Sequence, residues 1–197
     1  MDPSTPTIDP LTVILLVMDY EPAILGNLPG ADGLLGRTVG AIATARSRGM
    51  RVGYVRVAFE DVDYDAVPRT NKAFGAAAAG RRMDAGAPET AVHQAVAPEP
   101  GDIVVRKVRV GAFSTTDLDA QLRGAGVDTL VLAGVSTSGV VLSTVRDAAD
   151  HDYRLYVLED GCADRDPEVH GLLMRKVFPR QAWVIQVADL PSLVGAR

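Results

Sequence analysis

The sequence predicts an α/β protein, an open, doubly wound, mostly parallel sheet of about six strands with helices on both faces. Two observations carry that expectation. Short continuous apolar runs, of the kind found in strands covered on both sides, alternate along the chain with segments whose apolar residues recur at helical spacing. Residues 129–148 then read as a buried strand, a tight turn of small residues and a helix in immediate succession, the arrangement on which α/β enzymes place their chemistry.

The elements follow in order. TVILLVM at 12–18 is an unbroken apolar run that stops at Asp19, which places Asp19 at the carboxyl end of a central strand. A loop over 26–33 leads into a helix over 34–48, with Leu35, Val39, Ile42 and Ala43 on one face and Gly49 at its end. RVGYVRVA at 51–58 is the second strand and completes a βαβ unit. The stretch 59–100 holds Pro68, Pro88, Pro98, Pro100 and an alanine run at 76–79. A connection of that length is either functional or poorly ordered, and it is expected to cover one edge of a pocket.

IVVRK at 103–107 is the third strand, ending in Lys107, and a helix over 117–123 is opened by Thr116 and closed by Gly124 and Gly126. TLVLA at 129–133 is the fourth strand, ended by Gly134; the small, hydroxyl-rich turn at 135–139 leads into a helix carried by Val141, Val145 and Ala148. RLYVL at 154–158 is a fifth strand ending in EDGCAD. A helix over 167–177 starts at its proline, and a last strand covers 182–187.

Composition narrows the function classes. A chain of 197 residues, 47% of them hydrophobic, can bury a sizeable core, and a single domain over 12–197 behind a loose leader at 1–11 is the simplest division. The net charge of −5 argues against nucleic-acid or anionic-membrane surfaces. No run reaches the roughly 18 apolar residues of a membrane span, and the leader is acidic and proline-rich rather than signal-like. The one cysteine, Cys162, cannot form an internal disulfide and fits a reducing, cytoplasmic compartment.

In open α/β sheets the ligand crevice lies beyond the carboxyl ends of the strands. Asp19, Lys107 and the Ser136-Thr137-Ser138 turn all fall on that rim. Each has an ordinary structural reading alone: a carboxylate or hydroxyl can cap a helix, and a lysine can be a solvated strand end. Their convergence is what makes a site, with the free N–H groups of the helix start available to an anion. Tyr20, Phe74 and Phe113 are further candidates for its lining, although large aromatics in a chain with 5% aromatic residues mostly serve packing.

These residues carry a resemblance. VILLVMD at 13–19 and VVRKVRVGAFSTTDLDAQLRGAGVDTLVLAGVSTSGVVLSTVRDAADHDYRLYVLEDGCAD at 104–164 resemble the isochorismatase-like (cysteine hydrolase) superfamily in order and spacing, over nearly the whole chain. The resemblance implies a doubly wound fold, a homodimer or homotetramer, and an Asp–Lys–Cys site in which Asp19 matches the aspartate and Lys107 the lysine. The family cysteine falls on Val140, and the family's non-proline cis peptide on Val135–Ser136. The glutamine common two residues after the aspartate is Glu21, a second carboxylate that either shares a proton with Asp19 or turns to solvent. The histidine of the nicotinamidase zinc site has no counterpart in 59–72, and His93, His151 and His170 are scattered, the last two read as helix-surface positions, so neither a metal nor another cofactor is expected.

Without a thiol at 140, the chemistry the resemblance leaves is that of the vinyl-ether branch. There Asp19 acts as general acid, Lys107 orients it or binds a substrate carboxylate, and Ser136, Thr137, Ser138, Gly139 and Val140 frame a small-molecule substrate together with Glu21 and Phe113. Cys162 reads as a packing residue. A hydroxyl nucleophile ranks below this because no histidine is placed to activate one, and Arg81 or Arg82 is a candidate for a second carboxylate contact. The alternative is a non-catalytic or repurposed member of the fold that binds a small metabolite or serves as a biosynthetic tailoring enzyme.

Overall fold

The structure, a computed structural model, describes residues 8–194. Its centre is a six-stranded parallel sheet in the order β3-β2-β1-β4-β5-β6, built from β1 (Val13–Met18), β2 (Arg51–Val57), β3 (Ile103–Lys107), β4 (Thr129–Val135), β5 (Arg154–Ala163) and β6 (Trp183–Ile185). The chain winds outward from β1 in one direction through β2 and β3, then returns to the other side of β1 with β4. The switch between β1 and β4 therefore opens at the carboxyl ends of both strands, where a crevice forms.

The helices are α1 (Pro22–Leu25), α2 (Ala31–Ser47), α3 (Asp61–Asp65), α4 (Gly75–Ala79), α5 (Leu118–Gly124), α6 (Leu142–Asp150), α7 (Pro167–Leu172) and α8 (Leu190–Leu193). The two-residue period of β1 shows how both faces are covered. Val13, Leu15 and Val17 pack into one layer with Leu34, Leu35 and Ile42 of α2 and Leu190 of α8. Ile14, Leu16 and Met18 pack into the other with Leu118 and Leu122 of α5 and Val145 of α6. An unbroken apolar run is what such a strand requires, and truncating Leu16 to alanine would cost about 2–5 kcal/mol.

Several boundaries differ from the sequence expectation. Gly134 does not end β4, which runs on to Val135. A Cβ on Gly134 would lie 2.8 Å from Val141 Cγ2 and 3.3 Å from Met18 Cε, so glycine is needed to let the following turn pack against the strand end. EDGCAD is not a loop after β5. A register shift opposite Leu132/Gly134 lets the strand resume, pairing Gly134 with Cys162 and Val135 with Ala163, which extends β5 along the crevice rim. The last strand is shorter than expected, and α2 begins at Ala31 instead of 34.

The 59–100 connection is ordered. Phe59, Tyr64, Val67 and Ala78 form a small core of their own, and Phe59 bridges Asp84. Of the expected leader, residues 1–7 lie outside the described residues, and Ile8 is not loose: it is buried and bridges Val194. Among the described residues no helix is long and apolar enough to cross a membrane.

Candidate active site

Asp19 follows the last residue of β1 with φ of 60°, a left-handed conformation uncommon for a non-glycine residue, and its N–H is fixed to Val55 O at 2.8 Å. That turn aims the carboxylate across the strand ends. Lys107, the last residue of β3, reaches it: Nζ lies 2.9 Å from Asp19 Oδ2 and also donates to Arg109 O at 3.1 Å. Lys107 is 1% exposed and Asp19 5%, so the ion pair is buried. Burial pushes the Asp19 carboxyl up from 3.8 to about 6, the charge and hydrogen bond of Lys107 pulling the other way. Asp19 Oδ1 has no hydrogen-bond partner.

The opposite wall is the turn after β4. The Val135–Ser136 peptide is cis, as the resemblance implied, and Thr137–Val141 forms a π-helical turn that leads into α6. A Cβ on Gly139 would come within 2.7 Å of Ser136 Oγ, so a larger residue there would have to displace the Ser136 hydroxyl. Ser136, Ser138, Gly139 and Val140 join Asp19, Lys107 and Phe74 in lining a cleft of about 530 Å³. The 59–100 segment supplies part of its wall through Ala73, Phe74 and Met83, in keeping with its expected place.

Other expected residues lie elsewhere. Thr137 is fully buried and turned from the cleft; its Oγ1 is 2.8 Å from Nδ1 of His170 on α7. His170 is thus no surface residue, and a histidine does meet a hydroxyl of the turn, but on the side away from the cleft. Burial lowers the His170 imidazole, against the raising charges of Glu159 and Asp164. Phe113 stacks on His151 and tilts against Tyr153, with ring centroids 5.4 and 6.0 Å away, and is not part of the lining. Tyr20 is core: its hydroxyl donates to Gly161 O at 2.8 Å and meets Thr38 Oγ1 at 2.7 Å. Arg81 pairs with Asp61 over the Tyr64 ring, away from the cleft.

Glu21 neither lines the cleft nor turns to solvent. It is fully buried beneath the strand ends, Oε1 accepting the Val57 N–H at 2.5 Å while Oε2 has no partner. Burial, then the nearby Asp19 charge, raises its carboxyl from 4.5 to about 8.

Two residues that sequence reasoning missed complete the rim. Asp164, carried there by the extension of β5, accepts the Ser138 N–H with Oδ2 at 2.7 Å. One N–H of the helix start expected to hold a ligand anion is therefore taken by the protein's own carboxylate. Burial pushes Asp164 up, but the hydrogen bonds from Ser138 and from the backbone of Asp166 and Arg165 outweigh it and hold the carboxyl below its ordinary value. Arg165 beside it is exposed and lines the cleft, and its guanidinium has no ion-pair or hydrogen-bond partner among the described residues. The thiol of Cys162 is buried in the α5/α6 layer, with Sγ 3.7 Å from Leu132 O, and burial pushes it up to about 12.

A parallel sheet switched between β1 and β4, with a buried Asp–Lys pair at that switch, is the arrangement of an isochorismatase-type protein. The isochorismatase domain matches residues 13–189, and the chain belongs to that family. It is similar to the ureidoacrylate amidohydrolase RutB of Methylobacterium radiotolerans, 30% identical over 98% of this chain and 83% of that protein. It is similar also to the phenazine biosynthesis protein PhzD of Pseudomonas fluorescens, 32% identical over 93% of this chain and 86% of the other. An isochorismatase family protein of Burkholderia thailandensis superposes with a TM-score of 0.80 at 28% identity, covering 96% of this chain and 98% of its own.

Proposed function

We propose that this chain is a hydrolase that cleaves a small carboxylate-bearing vinyl ether by acid catalysis from Asp19, with no covalent enzyme intermediate. The observation that carries the reading is the side chain at the turn. Val140 stands in the cleft lining with Asp19 and Lys107, at the position that the family resemblance gives to the nucleophilic cysteine. Cys162 does not substitute for it, because a buried thiol raised to about 12 supplies almost no thiolate at neutral pH. Asp19, Lys107, Ser136, Ser138, Gly139 and Val140 make the working surface, and Thr137, Glu21 and Phe113 lie outside it.

In this mechanism protonated Asp19 gives its proton to the terminal carbon of the enol ether, and the electron pair of the C=C bond forms the new C–H bond. The resulting oxocarbenium takes up water, whose released proton returns to Asp19. The hemiketal then collapses to a carbonyl product and an alcohol, so no proton is consumed overall. Lys107 holds Asp19 in place through Oδ2, which leaves Oδ1 to carry the proton. A carboxyl at about 6 is protonated in roughly a tenth of molecules at pH 7, enough for a general acid near neutrality. Arg165, the unpaired cation of the lining, receives the substrate carboxylate, and Val57, Phe74, Val110 and Val140 contact the carbon skeleton.

Isochorismate-type vinyl ethers assayed beside a panel of small amides, with wild type, Asp19→Asn and Lys107→Ala, test the proposal. Vinyl-ether turnover falling at least about a hundredfold in Asp19→Asn, the scale of a lost general acid, is the expected result. Vinyl-ether turnover that survives Asp19→Asn, or turnover of amides by the wild type, removes it.

A further inference from the structure

The cleft is backed by more acid than its lysine can neutralise. Glu21 is fully buried, and the groups that face it are few. From the end of β1 comes the carboxylate of Asp19; from β3 comes Lys107, already bonded to Asp19 and to Arg109 O. From β2 come the Val57 N–H, which Glu21 accepts, and Arg56, whose guanidinium is held by the carbonyls of Ala85 and Thr90. Among the described residues no cation pairs with Glu21. Both ionised, the two carboxylates and one ammonium would leave a net negative charge in a dehydrated pocket, a costly state relieved by retaining a proton.

Two buried oxygens, Asp19 Oδ1 and Glu21 Oε2, lack any donor. A carboxylate oxygen without a donor is unsatisfied, whereas a protonated one becomes a donor itself. Lys107 stabilises charge on Asp19 directly, at 2.9 Å, and does nothing comparable for Glu21. The retained proton thus belongs on Glu21.

We infer that Glu21 is a positioning residue that keeps a proton through neutral pH, so that the buried Asp19–Lys107–Glu21 cluster is neutral and Asp19 alone changes charge across the acid range. The values of about 6 for Asp19 and about 8 for Glu21 follow the same order. A second ionisation, at Glu21 above neutrality, then makes the cleft net negative and sets the alkaline limit for anionic ligands. This rests on the site and not on the bond that is cleaved, so a failed vinyl-ether assay leaves it standing.

Carbon-13 NMR of side-chain carboxyls in the intact protein, followed from pH 4 to 10, tests it without a substrate. With only six glutamates in the sequence, one labelled glutamate signal is expected to titrate above pH 7 and to vanish in Glu21→Gln. With labelled aspartate, the Asp19 titration should stay within a few tenths of a pH unit between wild type and Glu21→Gln, because a neutral glutamine replaces a neutral acid. If Glu21 ionises first, the variant instead loses a neighbouring negative charge, and Asp19 titrates about one pH unit or more lower. That shift, or a wild type in which every glutamate titrates below pH 6, overturns the inference; the wild-type titration decides alone if Glu21→Gln does not fold.

Discussion

Replacing Lys107 with methionine keeps the aliphatic stem and deletes the charge, leaving the Asp19 carboxylate alone where it is 5% exposed. In the wild type, burial already outweighs the lysine. Asp19 raised from 3.8 to about 6 means that the folded state holds this proton more tightly than the unfolded chain, a difference of about 3 kcal/mol. That stability is complete below pH 3.8 and is lost as the pH rises to about 6. Without Lys107 both influences that hold the carboxyl down disappear, so Asp19 climbs further and the loss extends into the alkaline range. Removing one partner of a buried pair costs about 3–5 kcal/mol, and here the cost appears where Asp19 would be ionised. Urea unfolding of the wild type, Lys107→Met and Lys107→Met/Asp19→Asn at pH 5 and pH 8 measures it. The expected result is a loss of about 3 kcal/mol or more at pH 8, under about 1 kcal/mol at pH 5, and recovery of most of the pH 8 loss in the double variant. Equal losses at the two pH values, with single-variant costs that simply add, would refute the reasoning by assigning the effect to packing rather than charge.

Two other predictions concern the turn and the cleft mouth. Native wild type should resist alkylation by iodoacetamide at neutral pH, with Cys162 reacting only once urea unfolds the chain, while Val140→Cys should add one thiol that reacts in the native protein, because position 140 lines the cleft and Cys162 does not. Labelling of native Cys162 at its unfolded rate contradicts the burial that removes it from chemistry. Arg165→Ala should raise KM for a carboxylate substrate by about tenfold, the scale of one charge-assisted hydrogen bond, with kcat kept and the neutral methyl ester unaffected. An equal effect on acid and ester would show that Arg165 shapes the wall without reading charge.

What was legible in the sequence is what local pattern encodes. TVILLVM is apolar at every position because alternate residues of β1 enter opposite layers, so both its burial and the place of Asp19 at the strand's carboxyl end could be read directly. Lys107 and the serine turn followed from the rule that strand ends share one rim. Asp164 could not be read the same way: it reaches Ser138 only because β5 shifts register and continues, and nothing in EDGCAD marks that irregularity. His170 looks like a helix-surface residue in EVHGLL, and only the packing of α7 behind the turn gives it Thr137 as a partner. Glu21 was recognisable as a second acid near Asp19, but its direction depends on the left-handed turn at Asp19, and Phe113 went to His151 and Tyr153 instead of the cleft.

The charges around the cleft also bear on the reaction proposed for it. A tetrahedral intermediate at an amide builds negative charge, and the place to stabilise it is the positive start of a helix. Here Asp164 already takes one donor of that start, the Ser138 N–H at 2.7 Å. Vinyl-ether protonation builds the opposite charge. Once Asp19 has given up its proton it is an anion next to a cationic carbon, and Lys107 offsets that attraction only in part because it engages Oδ2 and leaves Oδ1 open. A neutral Glu21 contributes no charge to either case at pH 7. On the mechanism proposed above, the valine at 140 and the carboxylate at 164 both favour protonation of a vinyl ether over attack on an amide.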